Sequence, residues 1–425
     1  MPRPSSQSVG LLTSVTFSIA LVAAACTGGA QSEMSGDITV FEGARVIVGD
    51  GSAPIEDAIL VVEGDRISVV GPRAAVTVPA GATTRDLTGK TVMPAIVNAH
   101  VHLPTEREGR TELLQHMAYY GAGTVISLGH DSGTVAFAMR DEIVPNGARA
   151  LTAGRGITSR EPGRSDVPYW VTTDEEARSA VRELAAANVD FVKIWVDDRN
   201  GQFEKLSPRL YGAVIDEAHS HGLRVTAHIF SLEDAKGLLR AGIDAFAHSI
   251  RDRDVDQELV DLWLEHPDVV LVPNLPNSGL ATDLSWLSGT VPADELAEMQ
   301  NQAVDRPDAQ EGFGIQARNL KRLSDAGIPV AFGTDGSSPW AVHLEMEDMV
   351  RAGLTPLQVI SAATSTSAQL LEMTDVGTLA SGMSADFVVL DASPLDDITN
   401  TRRIDSVYLR GALVDRDALE ATATP

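Results

Sequence analysis

The chain has 425 residues, 44% hydrophobic and 22% charged, which suits one large folded domain with a smaller companion and excludes global disorder. Acidic residues outnumber basic ones 59 to 33, a formal charge of −26. That excess argues against nucleic acid or an anionic membrane surface as the main partner, since each phosphate contact needs a local cation. The single cysteine, Cys26, leaves no intrachain disulfide and no multi-cysteine metal site.

Residues 1–25 read as a secretory signal peptide: Arg3, an apolar stretch from Val9 to Ala25, then small residues before Cys26. Ala23-Ala24-Ala25-Cys26 resembles a bacterial lipoprotein box, with Ala23 where leucine is commoner, and cleavage after Ala25 or Ala30 is the alternative. The expectation is an exported bacterial protein, periplasmic or in the outer membrane, touching the membrane only through lipidation of Cys26. Residues 26–36 serve as a linker.

From Asp37 the chain reads as short strands, among them Thr39–Phe41, Arg45–Val48, Ala58–Val62 and Arg66–Val70, and strand-like segments return at 386–390 and 406–414. A small β-sandwich domain built from both ends, residues 37–92 and 376–425, would then frame a different middle, 93–375. There, apolar runs at Ala95–Leu103, Thr124–Leu128, Arg149–Ala153, Phe191–Val196, Arg224–Ile229, Ala245–Ile250, Val269–Leu275 and Val330–Thr334 alternate with helical spacing, as in Thr173–Ala187 and Ser207–His221. Eight such runs predict a (β/α)8 TIM-like barrel. A doubly wound sheet is the alternative, but no glycine-rich phosphate turn follows the first run. Two long connections, Gly154–Thr172 and Pro276–Phe313, have the length of lids, and the second holds a short helical stretch at Ala293–Ala303.

A barrel of this kind carries its site at the C-terminal strand ends. The first run ends in His100-Val101-His102, where alternation puts both imidazoles on one face. The fourth contains Lys193, one of only five lysines, among apolar neighbours that penalise an ammonium. The fifth ends at His228, the sixth at His248 and the eighth at Asp335. Each alone has a structural explanation: a hydrogen-bonded histidine, a turn aspartate, a snorkelling lysine. Five strand ends of eight bearing metal-ligand types or a lysine make coincidence a poor account.

The stretch Val92-Met93-Pro94-Ala95-Ile96-Val97-Asn98-Ala99-His100-Val101-His102 resembles the opening motif of the amidohydrolase superfamily, and Lys193, His228, His248 and Asp335 match the rest of its binuclear pattern in order. The likeness is greatest to the imidazolonepropionase-like and prolidase-like branch. It implies that Lys193 is an N6-carboxylysine bridging two divalent ions. His100, His102 and Asp335 would hold one ion, and His228 and His248 the other. Zinc is the first expectation, with manganese, cobalt or iron also suited. A water shared by two cations would attack a carbonyl, and Asp335 would be the catalytic acid and base.

Together with the leader, the resemblance therefore implies an exported metal-dependent amidohydrolase cleaving an amide or peptide-like C–N bond of a small molecule, and arginines at the rim are compatible with one that carries a carboxylate. Lactone, ester or carbamate hydrolysis is the alternative on the same site, and a non-catalytic surface-binding lipoprotein the rival of another class. A homo-oligomer is compatible with the sequence. Candidate substrate contacts are Arg155, Tyr169 and Trp170 in the loop after strand three and Arg251 after strand six. Prolidase-like relatives carry tyrosine where this chain has Phe230, and a histidine in a loop that here has none. His130, after strand two, reads as a rim residue. His219 and His221 diverge on a helix, and His116, His266 and His343 lack any partner pattern.

Overall fold

The computed structural model describes residues 38–422, so the signal peptide, Cys26 and the linker lie outside the described residues. The described residues form one compact unit. Strands Ile38–Val46, Ile55–Glu63, Arg66–Pro72, Thr83–Asp86 and Thr91–Pro94 from one end join Phe387–Leu390, Ile404–Leu409 and Ala412–Leu413 from the other in a single eight-stranded sheet. The seam between the ends is antiparallel, with Val92 opposite Val389.

The expected sandwich is one sheet folded on itself. The Phe41 ring lies 5.1 Å from Phe387 and 5.0 Å from Tyr408, although their strands are two and three places away. A flat sheet would separate them by roughly 10 to 14 Å. Period-two alternation then divides the C-terminal strands between two cores. Phe387, Val389 and Tyr408 pack with Phe41, Val46 and Leu60 inside the folded sheet. Val388, Leu390, Val407 and Leu409 point the other way, into the large core of the middle region.

In that region the first three runs form one parallel ladder, Ile96–Val101, Ala122–Ser127 and Arg149–Thr152. Ile157–Thr158, Val192–Val196, Val225–Ile229, Ala245–Ala247 and Val270–Val272 form a second, extended by Tyr169–Trp170 from the loop after strand three. The Asp190 amide donates to the Thr152 carbonyl at 2.9 Å, linking the ladders. The eighth run, Val330–Thr334, is not a regular strand. It bridges Leu271 on one side, and on the other the Phe332 carbonyl accepts from the Ala99 amide at 2.8 Å. Parallel bonding thus returns to the first strand, as a (β/α)8 arrangement requires. Gly333 permits the close approach: a Cβ there would meet Asn274 Nδ2 at 2.6 Å and His100 Cβ at 2.8 Å, so only glycine lets the run pass that close.

Helices cover the outside as the sequence predicts. Asp174–Ala186 opens with a capping box between Thr173 and Glu176, which satisfies amides of its first turn. Pro208–Ser220 follows Ser207, and Ala293–Gln302 fills part of the connection after strand seven. No described helix is long and apolar enough to cross a membrane.

Candidate active site

The residues that end the strands meet around one carboxylate. Asp335 Oδ1 lies 3.0 Å from His102 Nε2 and 3.1 Å from His100 Nε2, and Oδ2 lies 3.1 Å from His248 Nε2. Potential ligand atoms of His100, His248 and Asp335 all fall within 4.8 Å of one another. His248 and Asp335 both leave their strands at positive φ, 79° and 50°, a conformation a non-glycine residue adopts only where the surroundings enforce it. Here it turns both side chains inward.

Lys193 is fully buried, and its Nζ has His100 Nε2 as a neighbour at 3.4 Å. Burial pushes its ammonium down to about 7, with the Asp335 charge offsetting only part. Desolvation likewise holds His100 and His228 well below the ordinary imidazole range, and lowers His248. Burial would raise Asp335, but the three imidazoles outweigh it and keep the carboxyl far below its usual range. The site is therefore an ionised carboxylate against His100 and His248, which burial keeps neutral, beside a lysine that gives up its proton near neutrality.

His228 faces a different set. Its Nε2 lies 2.9 Å from Asp197 Oδ2, 3.1 Å from Arg199 Nη1 and 2.9 Å from Arg251 Nη2. The His228 and His248 rings still adjoin, with centroids 4.6 Å apart. Asp197 directly follows the strand-four run, so asking what ends each strand could have found it. Asn274 had the same signal at the end of strand seven. It sits at φ 43°, and its Oδ1 accepts from His100 Nδ1 at 2.8 Å.

His130 comes closer than a rim position. Its ring stacks on Trp195 at 5.3 Å and lies 4.7 Å from His102. Burial, aided by His102, lowers it to about 4. Trp195 packs where Gly129 and Gly156 leave no room for a Cβ.

The loop candidates divide. Arg155 donates through Nε to the Val167 carbonyl and covers the Tyr169 ring at 4.0 Å, while Tyr169 Oη donates to Glu183 at 3.0 Å. These contacts brace the loop. Trp170 has a buried indole N–H without a partner, with Arg160 6.0 Å from its ring. Only Arg251, of the four, reaches the histidines.

Residues 91–414 match the family model described as the amidohydrolase family. An imidazolonepropionase of Deinococcus radiodurans is 28% identical over 394 residues, covering 84% of this chain and 92% of that protein. A Bifidobacterium longum structure, provisionally named a prolidase, is 28% identical with a TM-score of 0.74, covering 91% of this chain and 99% of its own. The structure of a molinate hydrolase aligns at a TM-score of 0.72 with 23% identity, over 91% of this chain and 96% of that one, a likeness of fold.

Proposed function

Because the chain belongs to the amidohydrolase family, we propose that it is a metal-dependent hydrolase cleaving an amide or peptide-like C–N bond of a small molecule. The observation that carries this reading is the meeting of His100 and Asp335. With Asn274 Oδ1 accepting from Nδ1 and burial keeping the ring neutral, His100 Nε2 is a lone pair whose one donor among the described residues is Lys193 Nζ, at 3.4 Å. It faces a carboxylate oxygen 3.1 Å away. Two acceptors at that distance repel unless a cation lies between them, so the donor set fits a metal ion. The buried His248 Nε2, near Asp335 Oδ2 but without hydrogen-bond alignment, fits in the same way.

His100, His102, His248 and Asp335 would hold metal, with His228 and a carboxylated Lys193 completing a binuclear set, zinc being the first candidate. Lysine at a pKa of about 7 supplies free amine at neutral pH, the form that adds CO2 with loss of a proton. Divalent ions bound there would polarise the scissile carbonyl and acidify a water. Asp335, ionised and one-third exposed at the mouth, is suited to take the proton of the attacking water and return it to the departing amine. The reading of residues 1–25 as a signal peptide followed by a lipidated Cys26 supports an exported enzyme.

The test is elemental analysis of protein purified with bicarbonate and without chelator, followed by assay on N-acyl amino acids, dipeptides and lactones. About two divalent ions per chain and chelator-sensitive amide hydrolysis are expected. A chain that takes up no metal after zinc or manganese is added, and hydrolyses nothing, overturns the proposal.

A further inference from the structure

Two guanidinium groups converge beside His228, and they are not equally engaged. Arg199 is committed: Nη1 donates to Asp197 Oδ2 at 2.9 Å and Nε to Glu161 Oε1 at 3.3 Å. Arg251 is not. The nearest carboxylate recorded for it is Asp197, 3.9 Å away and already bonded to Arg199. Its Nη2 donates to the Ile229 carbonyl at 2.6 Å, and its Nε is buried with no partner. A guanidinium has five donors, and burying one without a carboxylate is costly.

The local charge points the same way. Arg164, Arg199 and Arg251 have two ion-pair partners between them, Glu161 and Asp197, and Asp335 adds its charge near Arg251 without pairing to it, in a chain of net charge −26. Beside Arg251, 5.3 Å from its guanidinium carbon, stands the ring of Phe230. Phe230 is 37% exposed, the one aromatic among the exposed large hydrophobic side chains of the described residues. A cation short of an anion thus adjoins an apolar ring short of cover, one side chain away from the Asp335 cluster.

We propose that Arg251 is the seat of a substrate carboxylate and Phe230 the wall for an apolar group beside it. Placing this seat at the hydrolytic centre rests on the function proposed above. It narrows the substrate to a small acid with an apolar side group, such as an N-acyl amino acid. The seat depends on neither the tyrosine nor the loop histidine that the sequence lacks.

The experiment is calorimetric binding of 4-phenylbutanoate and of 4-phenylbutan-1-ol, which has the same skeleton without the charge and no hydrolysable bond. The metal-loaded parent should bind the acid at least about tenfold more tightly than the alcohol. Arg251→Met should abolish that preference, and Arg251→Lys should retain part of it. Arg253→Met, which removes one charge two residues away, should keep it. Equal binding of acid and alcohol by the parent overturns the assignment whether or not the variants fold, as does a preference that survives in Arg251→Met. Metal content and amide hydrolysis are measured on the same preparations. Acid preference in a chain without metal or hydrolysis would sink the hydrolase reading and leave the seat. Hydrolysis with equal binding would do the reverse.

Discussion

Asp335 has two tasks that different substitutions separate. Its carboxylate touches three imidazoles, and its backbone at φ 50° suits asparagine, which tolerates the left-handed region. Asp335→Asn should therefore keep the local shape and most of the metal while losing the ionised base. Hydrolysis is expected to fall by about 100-fold or more. Lys193→Ala should lose metal as well, because it removes the group proposed to bridge the ions. Elemental analysis beside turnover numbers distinguishes the two. An Asp335→Asn enzyme as fast as the parent would refute the acid–base role, and a Lys193→Ala enzyme with two metals and full activity would refute the bridge.

The helix Ala341–Arg351 shows what a single element contributes behind the site. Glu345 is buried, and both its carboxyl oxygens receive the Leu275 amide, at 3.0 and 3.1 Å. That amide follows Asn274, the residue that holds His100. Burial raises Glu345 well above the carboxylate range, with Asp348 and Asp335 adding to the effect. A raised folded pKa means stability that is present at low pH and lost as pH rises through the folded value. Glu345→Gln keeps an acceptor oxygen and removes the titration, so it should raise the melting temperature at pH 8 by about 2 °C or more, with little gain near pH 4. On the same helix His343, fully buried, is lowered from 6.5 to about 3 by burial and by Arg402 and Arg416. There the sign reverses: stability is present above 6.5 and lost as pH falls toward 3. His343→Asn should flatten that acid limb, and an unchanged limb would show that other groups set it.

At the scale of the whole molecule, the two chain ends share a sheet whose C-terminal strands face two cores at once. Phe387, Val388, Val389, Leu390, Val407, Tyr408 and Leu409 are all buried. At ~1.5 to 3 kcal/mol each, their burial is worth about 10 kcal/mol or more, comparable to the net stability of an ordinary domain. Deleting residues 384–425 should leave a chain without a cooperative thermal transition. The intact protein, whose large core draws side chains from both parts, should melt in one transition by calorimetry. A truncated chain that folds and still takes up metal would mean that the middle region is an independent domain.

Local periodicity was enough to read the alternation of strands and helices, the β segments at both ends and the side chains that terminate the strands. His100, His102, Lys193, His228, His248 and Asp335 are legible because strand and strand end are short-range properties. A strand's face is fixed by period two, and a barrel puts its strand ends on one side. Asn274 ends a strand and was legible as such, but that it meets His100, that Arg199 meets His228 and that His130 stacks on Trp195 were not, because those pairs are set by how the strands and loops pack together. The curl that brings Phe41 onto Tyr408, and the irregular eighth run admitted by Gly333, depend on the same long-range packing. Residue order alone was enough to pick out the side chains that end the strands and meet at the candidate site. Which of them face one another, and that Arg251 shares its one close carboxylate with Arg199, followed from packing, since hydrogen-bond partners and desolvation exist only once distant segments meet.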